Sequence, residues 1–164
     1  MWAWRADHGN HVGWTSNTAD TGVVVTGSDV TAYGLAVEHY QKTEVVWTGQ
    51  GGTEVFFQNE LPYDPPSQAD WQRSATQPGY PAFEVSKGVK TFQGYGMGSY
   101  SYFDQGVAVE NAMSIQAPDT SGVRFNDLLT VFLSGSGGIE SVINGVGAAV
   151  GSGNGGPSDV VTYG

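Results

Sequence analysis

At 164 residues the chain has the size of one domain, large enough for a core but not for two independent ones. Six basic residues against 16 acidic give a formal net charge of −10, which excludes the Lys/Arg-rich surface that nucleic-acid phosphates require. The absence of cysteine excludes disulfide staples, thiolate metal sites and thiol nucleophiles together. Low charge (13%), 25 glycines and 12% aromatics argue for an all-β chain of strands and turns, and they leave an uncharged polymer such as a polysaccharide as a suitable partner.

The chain opens on MWAWRADHGN, which has neither the basic n-region nor the apolar h-region of a signal peptide. No apolar run reaches transmembrane length, so no membrane partner is expected. Trp2, Trp4 and Trp14 crowd this end. A domain rarely opens with its large aromatics uncovered, so the chain reads as continuing a longer architecture.

Two segments then superimpose at an offset of 22 residues. Val23, Val24, Thr26 and Gly27 align with Val45, Val46, Thr48 and Gly49, and Thr31, Tyr33, Leu35 and Glu38 align with Thr53, Val55, Phe57 and Glu60. A period in this range, with short strands and Thr-Gly turns, predicts a parallel β-helix, a single-stranded solenoid forming one domain over residues 1–164. The alternation Tyr33, Leu35, Val37 predicts a strand with those three on its buried face. Trp47, at the position of Val25, belongs inside a coil.

After Glu60 the period breaks into Leu61–Ala82, which holds five of the seven prolines. Ser67 behind Pro65-Pro66 can cap a short helix over Ser67–Arg73, with Trp71 covering the core edge. Strand patterns resume over Val85–Phe92, Gly94–Phe103, Val107–Ile115 and Val123–Leu133, and Ile139–Val146 fits a strand or a short helix. Gly147–Ser158 reads as a surface loop before a last strand at Val160–Thr162.

The chemistry centres on TEVFFQNELPYD, where the apolar run Val55-Phe56-Phe57 gives way to Gln58, Asn59 and Glu60 at the mouth of a proline-rich loop. Residues one period apart in a β-helix stack at roughly 4.8 Å. Glu38 and Glu60 therefore stand side by side, an arrangement that raises one pKa and keeps a carboxylic acid protonated for donation to a glycosidic oxygen. The plainer alternative is a pair of solvated glutamates on an open face. Aspartate and histidine occur together in Asp7, His8 and His11, and His39 follows Glu38, but nothing in their spacing fixes a metal geometry; no metal and no cofactor are expected. There is no Gly-x-Ser-x-Gly elbow and no phosphate-binding glycine loop. Trp2, Trp4, Trp14, Trp47, Tyr63 and Tyr100 can stack on sugar rings or pack a core; Trp4 and Trp14, near the acidic cluster, are the ligand candidates.

The stretches ADHGNHVGWTSNTADTG, TAYGLAVEHYQK, VFFQNELPYDPPSQADW and FQGYGMGSYSYF resemble the C-terminal part of the family 55 glycoside hydrolases, exo-β-1,3-glucanases or laminarinases, and are nearest to the actinobacterial members. The resemblance covers essentially the whole chain. It implies the second of two tandem right-handed parallel β-helices, extracellular action on β-1,3-glucan, and inversion. It also implies Glu60 as general acid, Tyr63 as an active-site tyrosine and Glu38 as the second carboxylate. Trp4 and Asp7 are implied as substrate-pocket residues, and His39, Trp14 and Gln58 join them as substrate-binding candidates. A carboxylate pair near 5 Å would by itself suggest retention; the resemblance instead makes Glu38 a neighbour that tunes Glu60. In the family the N-terminal β-helix supplies the residues that hold the nucleophilic water, and it is not in this sequence. Open coil edges invite self-association, so the partner expected at the Trp2–Trp14 end is a second copy or an N-terminal β-helix. The competing function is a non-catalytic glucan-binding or structural module.

Overall fold

The computed structural model describes Met1 to Gly164 and is all-β, with no helix. Its strands are β1 (Trp2–Trp4), β2 (Val23–Val25), β3 (Thr31–Glu38), β4 (Val45–Trp47), β5 (Gly52–Glu60), β6 (Gln72–Ser74), β7 (Gln77–Pro78) and β8 (Phe83–Val85). They continue with β9 (Phe92–Phe103), β10 (Val109–Asn111), β11 (Ile115–Gln116), β12 (Val123–Gly135), β13 (Gly137–Ile139), β14 (Val150–Gly151) and β15 (Ser158–Tyr163).

Two sheets run side by side along the chain. The larger has the order β1-β3-β5-β9-β12-β15, parallel throughout except where β15 returns antiparallel onto β12. The smaller, β11-β8-β4-β2, is entirely parallel. Each short strand of the small sheet precedes one long strand of the large sheet, so the chain climbs one strand spacing per pass, the arrangement expected of a β-helix. The 22-residue repeat is the register itself: Val23 pairs with Val45, Thr31 with Thr53 and Leu35 with Phe57. The core between the sheets is a run of aromatic contacts, Phe57 to Phe83 at 5.1 Å, Phe83 to Phe92 at 5.7 Å, Phe92 to Phe125 at 5.5 Å and Trp47 to Phe92 at 5.2 Å. Trp47 is fully buried, as its place in the repeat predicts.

Two expectations are corrected. The helix over Ser67–Arg73 is absent. Ser67 does cap, its hydroxyl accepting from the Asp70 amide at 3.2 Å, but only one turn forms. Trp71 is then buried against Phe103 at 5.5 Å, and Gln72–Pro78 continues as the hairpin β6–β7, so tertiary burial overrides the local cap signal. Likewise Tyr33 does not share a face with Leu35 and Val37: it is 73% exposed, whereas they are buried.

The cause of the second is a column of left-handed residues across four strands. Gly34 (φ 64°), Phe56 (φ 69°), Gly96 (φ 61°) and Asp127 (φ 58°) occupy the same level, where the ladder skips a pair between Tyr33↔Val55 and Leu35↔Phe57. One residue per strand is thereby left out of the pleat, and the inside–outside alternation restarts in the opposite phase. In β5, Glu54 points in before the break, and Phe57 and Asn59 point in after it.

Candidate active site

Beyond the break, Gln58 and Glu60 face outward from β5 while Asn59 points inward. Asn59 anchors this strand end. Its Nδ2 donates to Glu44 Oε2 at 2.5 Å, and Ser99 Oγ donates to its Oδ1 at 2.5 Å. Ser99 stacks in turn on Thr130, and Thr130 on Ser158, so a polar column runs through the interior under the site. Burial pushes the Glu44 carboxyl well above the usual range, opposed by the Asn59 hydrogen bond and reinforced by the nearby Glu38 charge.

Glu38 ends β3 one strand spacing away, and the His39 amide donating to the Glu60 carbonyl at 2.9 Å holds the two glutamates in register. Their side chains have different partners. Glu38 accepts from Trp2 Nε1 at 2.6 Å, and Glu60 accepts a short hydrogen bond from the Tyr63 hydroxyl. Burial first, then the hydrogen bond and charge of Glu60, push the Tyr63 phenol well above its ordinary value, so it stays a proton donor to that carboxylate.

Around the two carboxylates stands a wall of rings. Trp2 and Trp4 stack at 6.0 Å, His8 stacks on Tyr63 at 5.3 Å, His39 meets Tyr63 edge-on at 4.4 Å, and Tyr102 meets Tyr63 at 4.8 Å. Trp4 lies 5.7 Å from His8 and 6.3 Å from His39. The exposed members, Trp2, Trp4 and His8, give the wall its open face.

Asp7 holds this wall from behind. Its side chain is fully buried and touches His8 Nδ1 at 2.7 Å, His39 Nδ1 at 3.0 Å, the Tyr63 amide at 2.8 Å and Arg5 at 3.5 Å. Burial alone would raise its pKa, but the hydrogen bonds and charge from His39, with those from Tyr63 and His8, hold it below the usual carboxylate value. With Nδ1 donating to Asp7, a neutral His8 keeps Nε2 as an acceptor at the open face. Asp7, His8 and His39 each bring a ligand-type atom within 4.8 Å of the others. His11, which the sequence sets beside His8, is not in that group.

Arg5 is the keystone that the sequence reading missed. Buried beneath the wall, it donates to Asp64 Oδ1 at 2.5 Å, to the Asn17 carbonyl at 3.1 Å and to the His39 carbonyl, and it lies 5.7 Å from the Trp14 ring. Burial raises the Asp64 pKa, and Arg5 opposes that shift. Trp14 therefore sits over Arg5, and its carbonyl accepts from Gln41 Nε2 at 2.7 Å. The structure thus brings Glu60, Glu38, Tyr63, Trp4, Asp7 and His39 together and places Gln58 two residues from Glu60 on the same face. It adds His8 and Tyr102 to the lining and places Trp2, from the aromatic set, beside Trp4. A cavity of about 760 Å³ between Arg73, Lys87 and Asp119 lies away from these residues.

A family profile described as the LAM55 pectate lyase-like domain matches residues 1–60. The chain is 46% identical over 162 residues to an exo-β-1,3-glucanase of Streptomyces sp. SirexAA-E, covering 99% of this chain and 27% of that protein. Its fold matches the structure of sacteLam55A from the same organism with a TM-score of 0.94 at 45% identity, over 99% of this chain and 30% of that one. A glutamate-to-alanine variant of sacteLam55A in complex with glucose matches at a TM-score of 0.92 and 44% identity, over 99% and 29%. The resemblance read from the sequence is borne out: nearly the whole chain is similar to this exo-β-1,3-glucanase and to its structure, and it spans less than a third of the relatives it matches.

Proposed function

We propose that the chain is a right-handed parallel β-helix, one domain over residues 1–164, carrying the acid side of an exo-acting, inverting β-1,3-glucan hydrolase that works outside the cell. The observation that carries this is Glu60, aimed outward from a rigid strand end and hydrogen-bonded by Tyr63, on which His8 stacks with Trp4 beside it. Glu60 donates the proton to the departing glycosidic oxygen, and Tyr63 orients its carboxyl. Glu38 tunes that carboxyl and binds sugar, as the resemblance suggests for the second carboxylate. Trp4 offers a ring to the apolar face of a glucosyl unit, with His39 and Gln58 at its edge. Asp7 acts indirectly: with its side chain buried, it orients His8, His39 and the Tyr63 backbone. Trp14 likewise supports the site through Arg5.

An inverting reaction also needs a base-held water on the opposite sugar face, at a carboxyl separation of about 6.5–9.5 Å. In this reading that side comes from an N-terminal β-helix partner. Laminarin hydrolysis and binding, measured in parallel on wild type and Glu60→Gln, test it. The isolated chain is expected to bind glucan weakly and turn it over poorly, with the residual turnover lost in Glu60→Gln and binding retained. Full-rate hydrolysis by the chain alone would overturn the half-site reading. Trp4→Ala is expected to lower laminarin affinity about tenfold, read by titration calorimetry, with at most a small drop in melting temperature because the ring is 42% exposed and packs only at the wall, on Trp2 and His8. The second reading is a non-catalytic glucan-binding module. Binding without any wild-type turnover would select it.

A further inference from the structure

Three of the chain's six basic residues, Arg73, Lys87 and Lys90, line the one hollow of about 760 Å³. It lies over the outer face of the small sheet, where Glu84 of β8 and Gln116 of β11 point away from the core. Nothing at Glu60 uses these residues, and a neutral glucan gives no reason for their charge. Elsewhere the cations are spoken for: Arg5 pairs with Asp64 and Lys42 with Asp20. Lys87 and Lys90 are exposed and pair with no carboxylate.

The walls of the hollow are fixed in place. Both lysines ride on one turn that Gln50 clamps, its Nε2 donating to the Gly88 carbonyl at 2.9 Å and its Oε1 accepting from the Lys90 amide at 2.8 Å. The facing wall is clamped in the same way. Asn144 Nδ2 donates to the Ala117 carbonyl at 2.8 Å, and its Oδ1 accepts from the Ala117 amide at 3.2 Å. Arg73 is steadied through Nη1 alone, which donates to Gln116 Oε1 at 2.8 Å and lies 2.8 Å from Glu84 Oε2. Its Nε–Nη2 edge, the one that grips an oxyanion through two parallel hydrogen bonds, is left without an acceptor.

We propose that this hollow is a second ligand site, separate from Glu60, for an acidic sugar: a hydroxylated ring bearing a carboxylate or phosphate group. Arg73 and the two lysines take the oxyanion, and Gln77, Gln116 and Thr120 bond the hydroxyls. A lining with few apolar side chains does not suit an apolar acid, and the volume is that of a small-molecule site rather than a lone inorganic anion. Glu84 and Asp119 leave the three cations only a small local excess, in a chain of net charge −10. That balance favours a ligand of one or two negative charges per unit and disfavours a dense polyanion such as nucleic acid.

Titration calorimetry of the full chain with galacturonate and glucose 6-phosphate tests this, with galactose and inorganic phosphate as controls. At least one acidic sugar is expected to bind wild type, with both controls about tenfold weaker or silent. The double variant Lys87→Gln/Lys90→Gln is expected to lose about tenfold in that affinity at unchanged melting temperature, and Lys87→Arg/Lys90→Arg to keep it. Trigalacturonate binding more tightly than galacturonate would assign the site to a unit of an acidic polysaccharide, and equal affinity to a free sugar acid. No binding of either acidic sugar, inorganic phosphate binding as tightly as glucose 6-phosphate, or unchanged affinity in the glutamine variant overturns the site. Each of these outcomes leaves the Glu60 reading to its own laminarin test.

Discussion

Arg5→Met is expected to lower folding stability by about 3–5 kcal/mol near neutral pH, the cost of leaving a buried charge without its partner. Methionine keeps an unbranched stem in the space beside Trp14 and removes every donor. Asp64, held by Arg5 at 2.5 Å, is left buried and uncompensated; Asp7 loses a weaker contact at 3.5 Å; and the carbonyls of Asn17 and His39 lose their donor. The Asp64 pKa, already raised by burial, loses the opposing influence of Arg5 and climbs further. The deficit should therefore narrow as pH falls into the carboxylate range, since protonation removes the buried charge. Urea denaturation at pH 7 and pH 4 checks both parts. A loss below 1 kcal/mol at pH 7 would show that the Arg5 cluster is peripheral to the fold.

The Glu54→Gln protein is expected to be about 3 kcal/mol more stable than wild type at pH 8 and equal to it near pH 4. Glu54 points into the core from β5 ahead of the break, with no exposed surface, and neither oxygen makes a hydrogen bond of good geometry. Its register neighbours on the two sides are Ala32 and Gly94, small residues that leave room for the carboxyl but provide no side-chain partner. Burial pushes its pKa from 4.5 to about 7, offset in part by the Leu35 backbone. The unfolded chain then ionises at lower pH than the folded one. Wild type keeps its full stability below about 4.5, loses it progressively as pH rises to about 7, and is level above that. That displacement corresponds to about 3 kcal/mol. Glutamine mimics the neutral acid and removes this contribution, while Glu44, also raised by burial, leaves a slope of the same sign. Denaturation midpoints from pH 4 to 9 decide it. Parallel profiles for the two proteins would mean that Glu54 titrates normally.

The coil repeat was legible because identical residue types recur at the spacing that hydrogen bonding enforces: Val23 on Val45 and Thr31 on Thr53 are pattern and register at once. Glu60 was legible for a related reason, standing where an apolar strand meets prolines. The break in the large sheet was not. Glycine at 34 and 96 hints at it, but phenylalanine at 56 carries no preference for a left-handed backbone, so only the aligned column reveals it. Arg5 was hidden because its partners, His39 and Asp64, lie 34 and 59 residues away and no local pattern pairs them. The short helix was misread because Ser67 sends a true cap signal that the burial of Trp71 overrules.

The column of left-handed residues also decides how the gene can tolerate change in length. Side chains alternate along a strand, so the parity of the residue count between the break and the strand end fixes which way Glu60 points. Phe56 stands outside that count. Dropping Phe56 itself would restore an unbroken pleat with Glu60 still outward and Asn59 still inward, whereas dropping Gln58, past the break, would turn the tip of the strand over, carrying the acid into the interior and Asn59 out to solvent. Substitution can adjust the chemistry of this face, but insertion or deletion of a single residue between the break and Glu60 exchanges the face itself.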